Sequence, residues 1–557
     1  MKAISKILFG AGALIAAAGF SACTGDLDRL PTDPSSVTAA DFEKDPQGYM
    51  EQVMADLYVN YCTTGPSTDG AKPQPISGFD FGMCSFSRVC IQLGCFASDE
   101  LAWLPTGADW GNFRYGQIAT NAPAILGMYS RLIVNASLCN DFIQTVNGGY
   151  FKLTPELQGQ ADEFVRQAKI LRAATFFYLM DNFGNVPYGH EEVAIGSVFP
   201  QVTPDVVYKG ETETLEELVA WYKQNDPNNR PPYGYVGLDV AESLLVKYYL
   251  NAKSYGADAA YDKCAEHAEA IIARLKGKGF KNSGLCYKYW QVFGHNNKQY
   301  TPNGPGWTGV NEIIWDQPSD AEKLQGWTGG SFLVNAWAGF DGGEASVWNA
   351  SNGWKCLAAR STFVKTYFDW NDDFSESPDE RTKLWCTTKQ DFPVDNPAVA
   401  GQDKNGFITV KYSNFDYEND ETGAKCATQP KATDNLGIDY AAIRLAEIYL
   451  SAAECYLQLG TNQAKANEYV NLIRERSGQA PYANVTMNEL IRERSAELYN
   501  EGHRRTDLIR WNMWLSGYNW TFKNGVREGA DFGPEMRWYP LPLNIIGQAG
   551  YHQNPGY

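Results

Sequence analysis

Two pairs of carboxylates are the residues best suited by type and spacing to catalysis in this chain of 557 residues. Asp99 and Glu100 are adjacent, and Asp341 and Glu344 lie in a glycine-rich run. Glycoside hydrolysis needs two carboxyl groups that face each other across the scissile bond, at about 5 Å or about 6.5–9.5 Å. Adjacent side chains do not converge in this way. The sequence also contains no Gly-x-Ser-x-Gly elbow, phosphate loop or His-Glu-x-x-His helix. We therefore predict that the chain is not an enzyme.

Composition excludes several kinds of ligand. The five histidines are scattered and no pair has metal-ligand spacing, so we predict no metal site and no cofactor. The formal net charge is −18, and there is no polybasic run that could follow a phosphate backbone. The sequence therefore argues against nucleic acid as a partner.

Tryptophan is concentrated in one stretch. Eight of the sixteen tryptophans lie between Trp290 and Trp370, among many glycines and without a helical or alternating period. An indole face with polar neighbours matches a sugar ring, which has an apolar C–H face and a hydroxyl rim. Any single tryptophan is more often a core residue than a ligand contact. For the stretch as a whole we predict a binding surface.

The amino-terminal residues have the pattern of an export signal. Lys2 and Lys6 precede an apolar run from Ile7 to Phe20, and small residues follow directly before Cys23. Residues 1–22 are predicted to be a lipoprotein signal peptide, Cys23 the lipidated residue and 23–40 an extended tether. The alternative is an ordinary signal peptide that is cut nearby. Fourteen apolar residues are too few to cross a bilayer, so we expect the chain to be anchored and not to span the membrane.

The cysteine count is high for an exported bacterial protein. Twelve cysteines become eleven once Cys23 is lipidated, and an odd number leaves at least one free thiol. We expect most of them to be buried small apolar residues, and the spacing leaves room for an occasional disulfide.

Helices are predicted towards both ends of the chain. The first covers Phe42 to Asn60, and the strongest runs from Thr154 to Asp181, with Thr154 as its cap and proline at its first position. Two helix pairs of just under forty residues follow, over 238–275 and 443–478, and each resembles a tetratricopeptide unit that must stack on its neighbours. Thr486 and Glu489 form a capping box for a helix over Met487 to Asn500.

The helical period is lost between these regions, where short β-like runs such as Phe407 to Val410 appear. We therefore predict a mainly α fold. A helical scaffold over 41–280 and 436–557 holds an inserted, aromatic-rich and loop-rich binding region over 281–435.

Several motifs then resemble a known family. They run from Leu171 to Ala173, from Phe183 to Pro187, and from Arg492 to Arg494 leading into Glu501 to Trp511; the tether around Leu27 to Asp33 and the last five residues agree. These motifs are similar to those of SusD/RagB-type outer-membrane nutrient-binding lipoproteins of Bacteroidetes, most of all to the starch-binding member. The resemblance implies about four tetratricopeptide-like helix pairs, display at the cell surface and a SusC-like TonB-dependent transporter as partner. On physical grounds the motif residues Arg504, Arg505 and Arg510 are predicted to form ion pairs and helix-end contacts.

The resemblance also implies a ligand site. Asp80 and Arg88 match a polar pair of the starch-binding member, Trp103 matches a first aromatic ring and Trp354 a second. The chain departs from that pattern where a tyrosine is expected, since Thr328 stands there and Trp327 precedes it. It departs again where Pro105 replaces an aromatic residue, for which Trp110 is a candidate substitute.

These observations predict a non-catalytic surface lipoprotein that captures an oligosaccharide, with a starch-like α-glucan as the favoured ligand, and delivers it to the transporter. The alternatives are a family member that binds another glycan or peptides, and a tetratricopeptide scaffold that only joins proteins.

Overall fold

The computed structural model describes residues 44–62, 85–105, 112–149, 153–192, 198–322, 329–340, 343–371, 373–386, 392–393, 404–547 and 550–557. The predicted signal peptide, Cys23 and the tether lie outside these residues. Within them, no helix has both the length and the apolar composition needed to cross a bilayer.

Helices dominate the fold. The described part contains fourteen α-helices: α1 (Pro46–Cys62), α2 (Phe86–Ile91), α3 (Pro123–Asn147), α4 (Pro155–Phe183), α5 (Pro204–Asn225), α6 (Leu238–Leu250), α7 (Tyr261–Leu275), α8 (Gly329–Asn335), α9 (Ser361–Tyr367), α10 (Leu445–Leu459), α11 (Gln463–Arg476), α12 (Met487–Leu498), α13 (Arg504–Arg510) and α14 (Leu543–Ile546).

The predicted capping residues are confirmed at the amino-terminal ends of two helices, α4 and α12. The Thr154 hydroxyl accepts a hydrogen bond from the Leu157 amide at 3.3 Å, and Pro155 occupies the first position of α4. Thr486 and Glu489 form the capping box of α12. Consecutive helices from α3 to α7 pack against one another, and α7 packs in turn on α10. The predicted mainly α architecture with a tetratricopeptide-like arrangement is confirmed.

Nine short strands accompany the helices: β1 (Leu101–Trp103), β2 (Val186–Pro187), β3 (Gln201–Val202), β4 (Ile313–Gln317), β5 (Leu357–Arg360), β6 (Trp385–Cys386), β7 (Phe392–Pro393), β8 (Lys404–Thr409) and β9 (Tyr440–Arg444). One sheet has the order β1-β5-β8-β6, with β7 also paired to β8, while β4 pairs with β9 and β2 with β3. The predicted helix over 443–459 was wrong at its start. Ile443 pairs with Trp315 in the β4–β9 ladder, and the helix begins at Leu445.

The described tryptophans of this stretch divide between core and surface, so the predicted binding surface cannot include all of them. Trp315, Trp337 and Trp348 are at most 2% exposed, and Trp290, Trp354 and Trp370 are half-buried. Trp307 is 44% exposed. The indole N–H of Trp348 donates to the Thr409 carbonyl at 3.2 Å, so the polar group of this buried ring is hydrogen-bonded within the protein.

The ten cysteines that the structure describes are all free thiols. Six are buried and four are half-buried, in agreement with the expected role of small apolar residues. No disulfide joins any of the described cysteines.

A connected network of ion pairs lies in the core, where the β4–β9 strand pair meets α11 and α12. Its members are five cations and five anions, all buried: Arg381, Lys411, Arg444, Arg474, Arg476, Glu312, Asp379, Glu493, Glu497 and Glu501. Glu497 contacts Arg381, Arg444 and Arg476. Burial alone would raise the pKa of Glu497, but these three arginines outweigh it and hold that pKa well below its ordinary value.

Candidate ligand-binding site

The antiparallel pairing of β1 and β5 brings the two predicted aromatic residues into one region. Trp103 is the last residue of β1 and pairs with Leu357 at the start of β5, three residues after Trp354. The Leu104 amide continues this ladder by donating to the Cys356 carbonyl at 2.8 Å. Residues about 250 positions apart in sequence therefore share one end of the sheet.

Arg88 lies between aromatic rings at this end of the sheet. Its guanidinium carbon is 5.5 Å from the centre of the Trp103 ring and 5.0 Å from the centre of the Phe332 ring. Both distances are within the range of a cation–π contact. The Phe332 ring is in turn 6.4 Å from that of Trp354, at an interplanar angle of 42°. The structure thus groups three of the predicted site residues, Arg88, Trp103 and Trp354, around a phenylalanine that was not predicted.

Exposure divides this group into two kinds of residue. Arg88 and Trp103 are each 6% exposed and Phe332 is fully buried, whereas Trp354 is half-buried. Trp103 also packs on Phe96, with ring centres 5.8 Å apart and planes nearly parallel. Trp354 is therefore the ring of this group that a ligand can reach, and the buried Trp103 ring packs against Arg88.

Three other predicted site residues, Asp80, Trp110 and Trp327, lie outside the described residues, as does the predicted lipidation site Cys23. Their assignment stays a prediction. Phe332 was missed because a phenylalanine after Gly329, Gly330 and Ser331 carries no periodic signal. The helix α8 that holds it is fixed to α2, because the Gly329 amide donates to the Ser87 hydroxyl at 2.9 Å.

Close backbone packing sets the position of Trp354. The Trp354 amide donates to the Asn335 carbonyl at 2.7 Å, so this loop lies against the end of α8. A Cβ atom at Gly353 would meet the Ala338 carbonyl carbon at 2.4 Å, a distance that no side chain tolerates. Glycine at 353 therefore permits the loop to approach α8 closely enough to place Trp354 beside Phe332.

Asp99 and Glu100, the adjacent carboxylates considered for catalysis, are engaged in internal contacts, whereas Asp341 of the second pair lies outside the described residues. Asp99 accepts two hydrogen bonds from Arg504, at 2.7 and 2.8 Å, and one from the Tyr518 hydroxyl at 2.7 Å. Glu100 accepts from the Asn500 amide at 2.8 Å, and burial raises its pKa to about 7. Both are at most 2% exposed. Asp99 and Glu100 therefore hold the segment before β1 in place.

The motif arginines form structural contacts, as predicted, with partners both within the same helix and far along the chain. Arg504 binds Asp99, and Arg510 pairs with Glu454 at 2.7 Å and with Asp507 at 2.8 Å. Arg505 donates to the backbone carbonyls of Asp181 and Arg537.

One group among the described residues has spacing suited to a metal ion. Ligand atoms of His190, Glu191 and Glu192 lie within 4.8 Å of one another. Glu191 is already paired with Arg172, whose positive charge opposes a cation, and His190 Nε2 is 2.7 Å from a Glu211 carboxylate oxygen. The group is therefore explained by these internal pairs.

Comparison with known proteins gives a family match for the carboxy-terminal part of the chain. Residues 311–557 match the model of the SusD family. The starch-binding protein SusD of Bacteroides thetaiotaomicron is 26% identical to this chain, over 100% of this chain and 99% of its own length. SusD-like protein P2 of Formosa agariphila is 24% identical and covers 78% of this chain and 79% of its own.

Among solved structures, surface glycan-binding protein A of Bacteroides thetaiotaomicron in complex with laminarihexaose has the same fold. It superposes with a TM-score of 0.65 at 18% identity, covering 91% of this chain and 99% of its own. Residues 311–557 are thus similar to the SusD family, a relative of this family aligns over the full length, and the chain shares the fold of this solved structure.

Proposed function

We propose that this protein is a non-catalytic, cell-surface glycan-binding lipoprotein that captures an oligosaccharide, with a starch-like α-glucan as the favoured ligand. The observation that supports the proposal most directly is the grouping of Trp354, Phe332, Arg88 and Trp103 at one end of the β1–β5 sheet. Trp354 is half-buried, so part of its indole is open to the apolar face of a sugar ring, and Phe332, which it contacts, packs in turn on the Arg88 guanidinium.

The names of relatives agree with this ligand class. One relative is a starch-binding protein, and solved structures of the same fold include one in complex with laminarihexaose and one described as a laminarin-binding SusD-like protein. Starch and laminarin are both glucans, so the choice between an α-glucan and a β-glucan is the first point to test.

The weak forces at such a site set the expected affinity. An aromatic contact adds roughly 0.5–1.5 kcal/mol beyond its buried area, and ordering a flexible glycan takes back part of the gain. We expect a dissociation constant in the micromolar to millimolar range, or about −8 to −4 kcal/mol. Weak binding also suits a protein that must release its ligand.

The remaining parts of the proposal concern location and delivery. We propose that Cys23 is lipidated, that the protein faces outward from the outer membrane, and that it passes the glycan to a SusC-like TonB-dependent transporter. Labelling of growing cells with a radioactive fatty acid tests the anchor: the wild-type protein should take up label and Cys23→Ala should not. Co-purification of the lipidated protein from solubilised outer membranes tests the transporter, which should appear as a large second subunit.

The ligand is tested by native gel electrophoresis of the mature protein through gels that contain starch, pullulan, dextran, laminarin, mannan, xylan or pectin. Retardation by starch and pullulan supports the α-glucan. Retardation by laminarin alone would keep glycan binding and reject the α-glucan, and migration unchanged in all gels would reject glycan binding and direct the search to peptides.

The site is tested with Trp354→Ala, which removes the exposed ring and is expected to weaken glycan binding by about tenfold or more, equivalent to about 1.4 kcal/mol. Trp221→Ala is the matched control. Trp221 is 37% exposed on α5, against Arg166, and contacts none of the site residues named above. Equal affinities of the two variants, measured by isothermal titration calorimetry, would reject this site.

Absence of catalysis is tested directly. Pure protein incubated with the glycan that it binds should produce no reducing ends above the rate of the Trp354→Ala variant. Release of reducing ends at a rate that follows binding would overturn the non-catalytic proposal.

A further inference from the structure

The segment just before β1 is held by contacts with distant parts of the chain. Ser98, Asp99 and Glu100 are all buried, and each is bound from a different direction. Asp99 receives Arg504, and Glu100 receives the Asn500 amide, as described above. The third partner is Arg360, the last residue of β5.

Arg360 contacts this segment with both its backbone and its side chain. Its amide donates to the Glu100 carbonyl at 3.0 Å, and its Nε donates to the Ser98 carbonyl at 3.1 Å. Two further donors of the same guanidinium reach the carbonyls of Arg114 and Thr521. One fully buried side chain therefore joins β5 to three other segments of the chain.

The consequence concerns the distance between the two tryptophans. Trp103 lies three residues after Glu100 at the end of β1, and Trp354 lies three residues before β5, the strand that pairs with β1 and ends at Arg360. A shift of the Ser98–Glu100 segment relative to β5 would move Trp103, and with it Arg88, away from Phe332 and Trp354. A guanidinium suits this task because its donors are fixed in one plane, whereas a lysine ammonium has its donors at a single point.

We propose that Arg360 is a positioning residue for the glycan site: by binding the carbonyls of Ser98 and Arg114 from β5, it holds Trp103 and Arg88 in register with Trp354. This inference rests on the proposed function, because it concerns the affinity of the same site. It extends that function to a residue that lies at the opposite end of the β1–β5 pair from Trp103.

The test compares Arg360→Lys with Arg505→Lys in the mature protein. Arg505 is an equally buried arginine that also donates to backbone carbonyls, but it joins α13 to the end of α4 and to Arg537. Both variants are expected to lose stability. Only Arg360→Lys is expected to weaken binding to the glycan retained in native gels, by about tenfold, because a binding site tolerates displacements of only about 0.5 Å.

A spectroscopic measurement separates positioning from general destabilisation. With 5-fluorotryptophan incorporated, the ¹⁹F resonances of Trp103 and Trp354 are assigned from single Trp→Phe variants. In the absence of ligand, Arg360→Lys should shift both resonances and Arg505→Lys should leave them in place. Unshifted resonances together with wild-type affinity in Arg360→Lys would overturn the inference.

A second variant covers the case in which Arg360→Lys does not fold. Asp99→Asn weakens the contact of the same segment with Arg504 and should shift the Trp103 resonance in the same way. If the wild-type protein binds no glycan, the proposed function fails, and the ¹⁹F comparison still decides whether Arg360 positions the two rings. If glycan binds and neither Arg360→Lys nor Asp99→Asn changes affinity or resonances, the positioning role fails by itself.

Discussion

Replacing Glu497 by glutamine should destabilise the protein far more than the loss of one surface charge. Glu497 is fully buried and receives hydrogen bonds from Arg381 at 3.2 Å and Arg444 at 2.7 Å, and also contacts Arg476. Glutamine keeps the shape of the side chain but removes the negative charge, so the ten-membered buried network changes from neutral to a net charge of +1. Removing one partner of a buried ion pair costs about 3–5 kcal/mol, and we expect a loss in this range.

Equilibrium unfolding in guanidinium chloride at pH 7, followed by circular dichroism, measures this loss. Glu213→Gln is the matched control, because Glu213 is 65% exposed and lies 4.0 Å from Lys209. A surface pair of this kind contributes about 0–1 kcal/mol. The double variant Glu497→Gln with Arg476→Gln restores neutrality and should recover part of the loss, since the two sites are in contact.

The pH dependence follows from the depressed pKa of Glu497. A carboxylate whose pKa is lower in the folded state contributes stability that is present above the unfolded-state pKa and is lost as pH falls through the folded value. The difference between wild type and Glu497→Gln should therefore be largest at neutral pH and shrink in strong acid. A loss below about 1 kcal/mol at pH 7, or a difference that grows in acid, would refute the view that this charge is essential to the network.

Two further predictions concern single positions. Burial and the neighbouring Asp439 carboxylate raise the pKa of Asp316 well above its ordinary value, so the free energy of unfolding should fall as pH rises from about 4 towards that raised pKa. In urea unfolding at pH 7, Asp316→Asn should therefore be more stable than wild type. A variant that is less stable at pH 7 than at pH 4, relative to wild type, would contradict this. Gly353→Ala should be destabilised by about 1–3 kcal/mol, because its Cβ would overlap Ala338. The control is Gly159→Ala, on the exposed side of α4 with no atom within 4 Å of the added Cβ, which should gain up to about 1 kcal/mol. Equal thermal midpoints of the two variants would show that the loop at Gly353 adjusts freely.

Local rules predicted the helical scaffold because its signals are local. Thr154 with Pro155 marks the start of α4, and Thr486 with Glu489 marks the start of α12, since each cap satisfies amides within one turn. The start of α10 was missed for a related reason. Ile443 continues the apolar spacing of the helix backwards, and only pairing with β4, more than a hundred residues earlier, assigns it to a strand.

The site was predictable in part. Trp103 and Trp354 came from motifs, but their proximity depends on the pairing of β1 with β5, which no local pattern encodes. The burial of Trp337 could not be predicted from the sequence either. Tryptophan occurs both in cores and at surfaces, and glycine-rich loops occur in both settings. Phe332 became visible as a site residue only when α8 was placed beside Trp354.

The contact between Asp99 and Arg504 joins residues 405 positions apart and has a consequence for the order of events during synthesis. A ribosome adds about 5–20 residues per second, so Asp99 emerges roughly 20–80 seconds before its partner exists. Until Arg504 is made, β1 lacks the contact with Asp99 that fixes its amino-terminal end. The unpaired edge of β1 is then available to other chains. A nascent chain halted before residue 504 should therefore be cleaved readily by protease around residues 98–103, while the completed protein resists. The strand that carries Trp103 is therefore made early and gains its last buried contact only near the end of synthesis.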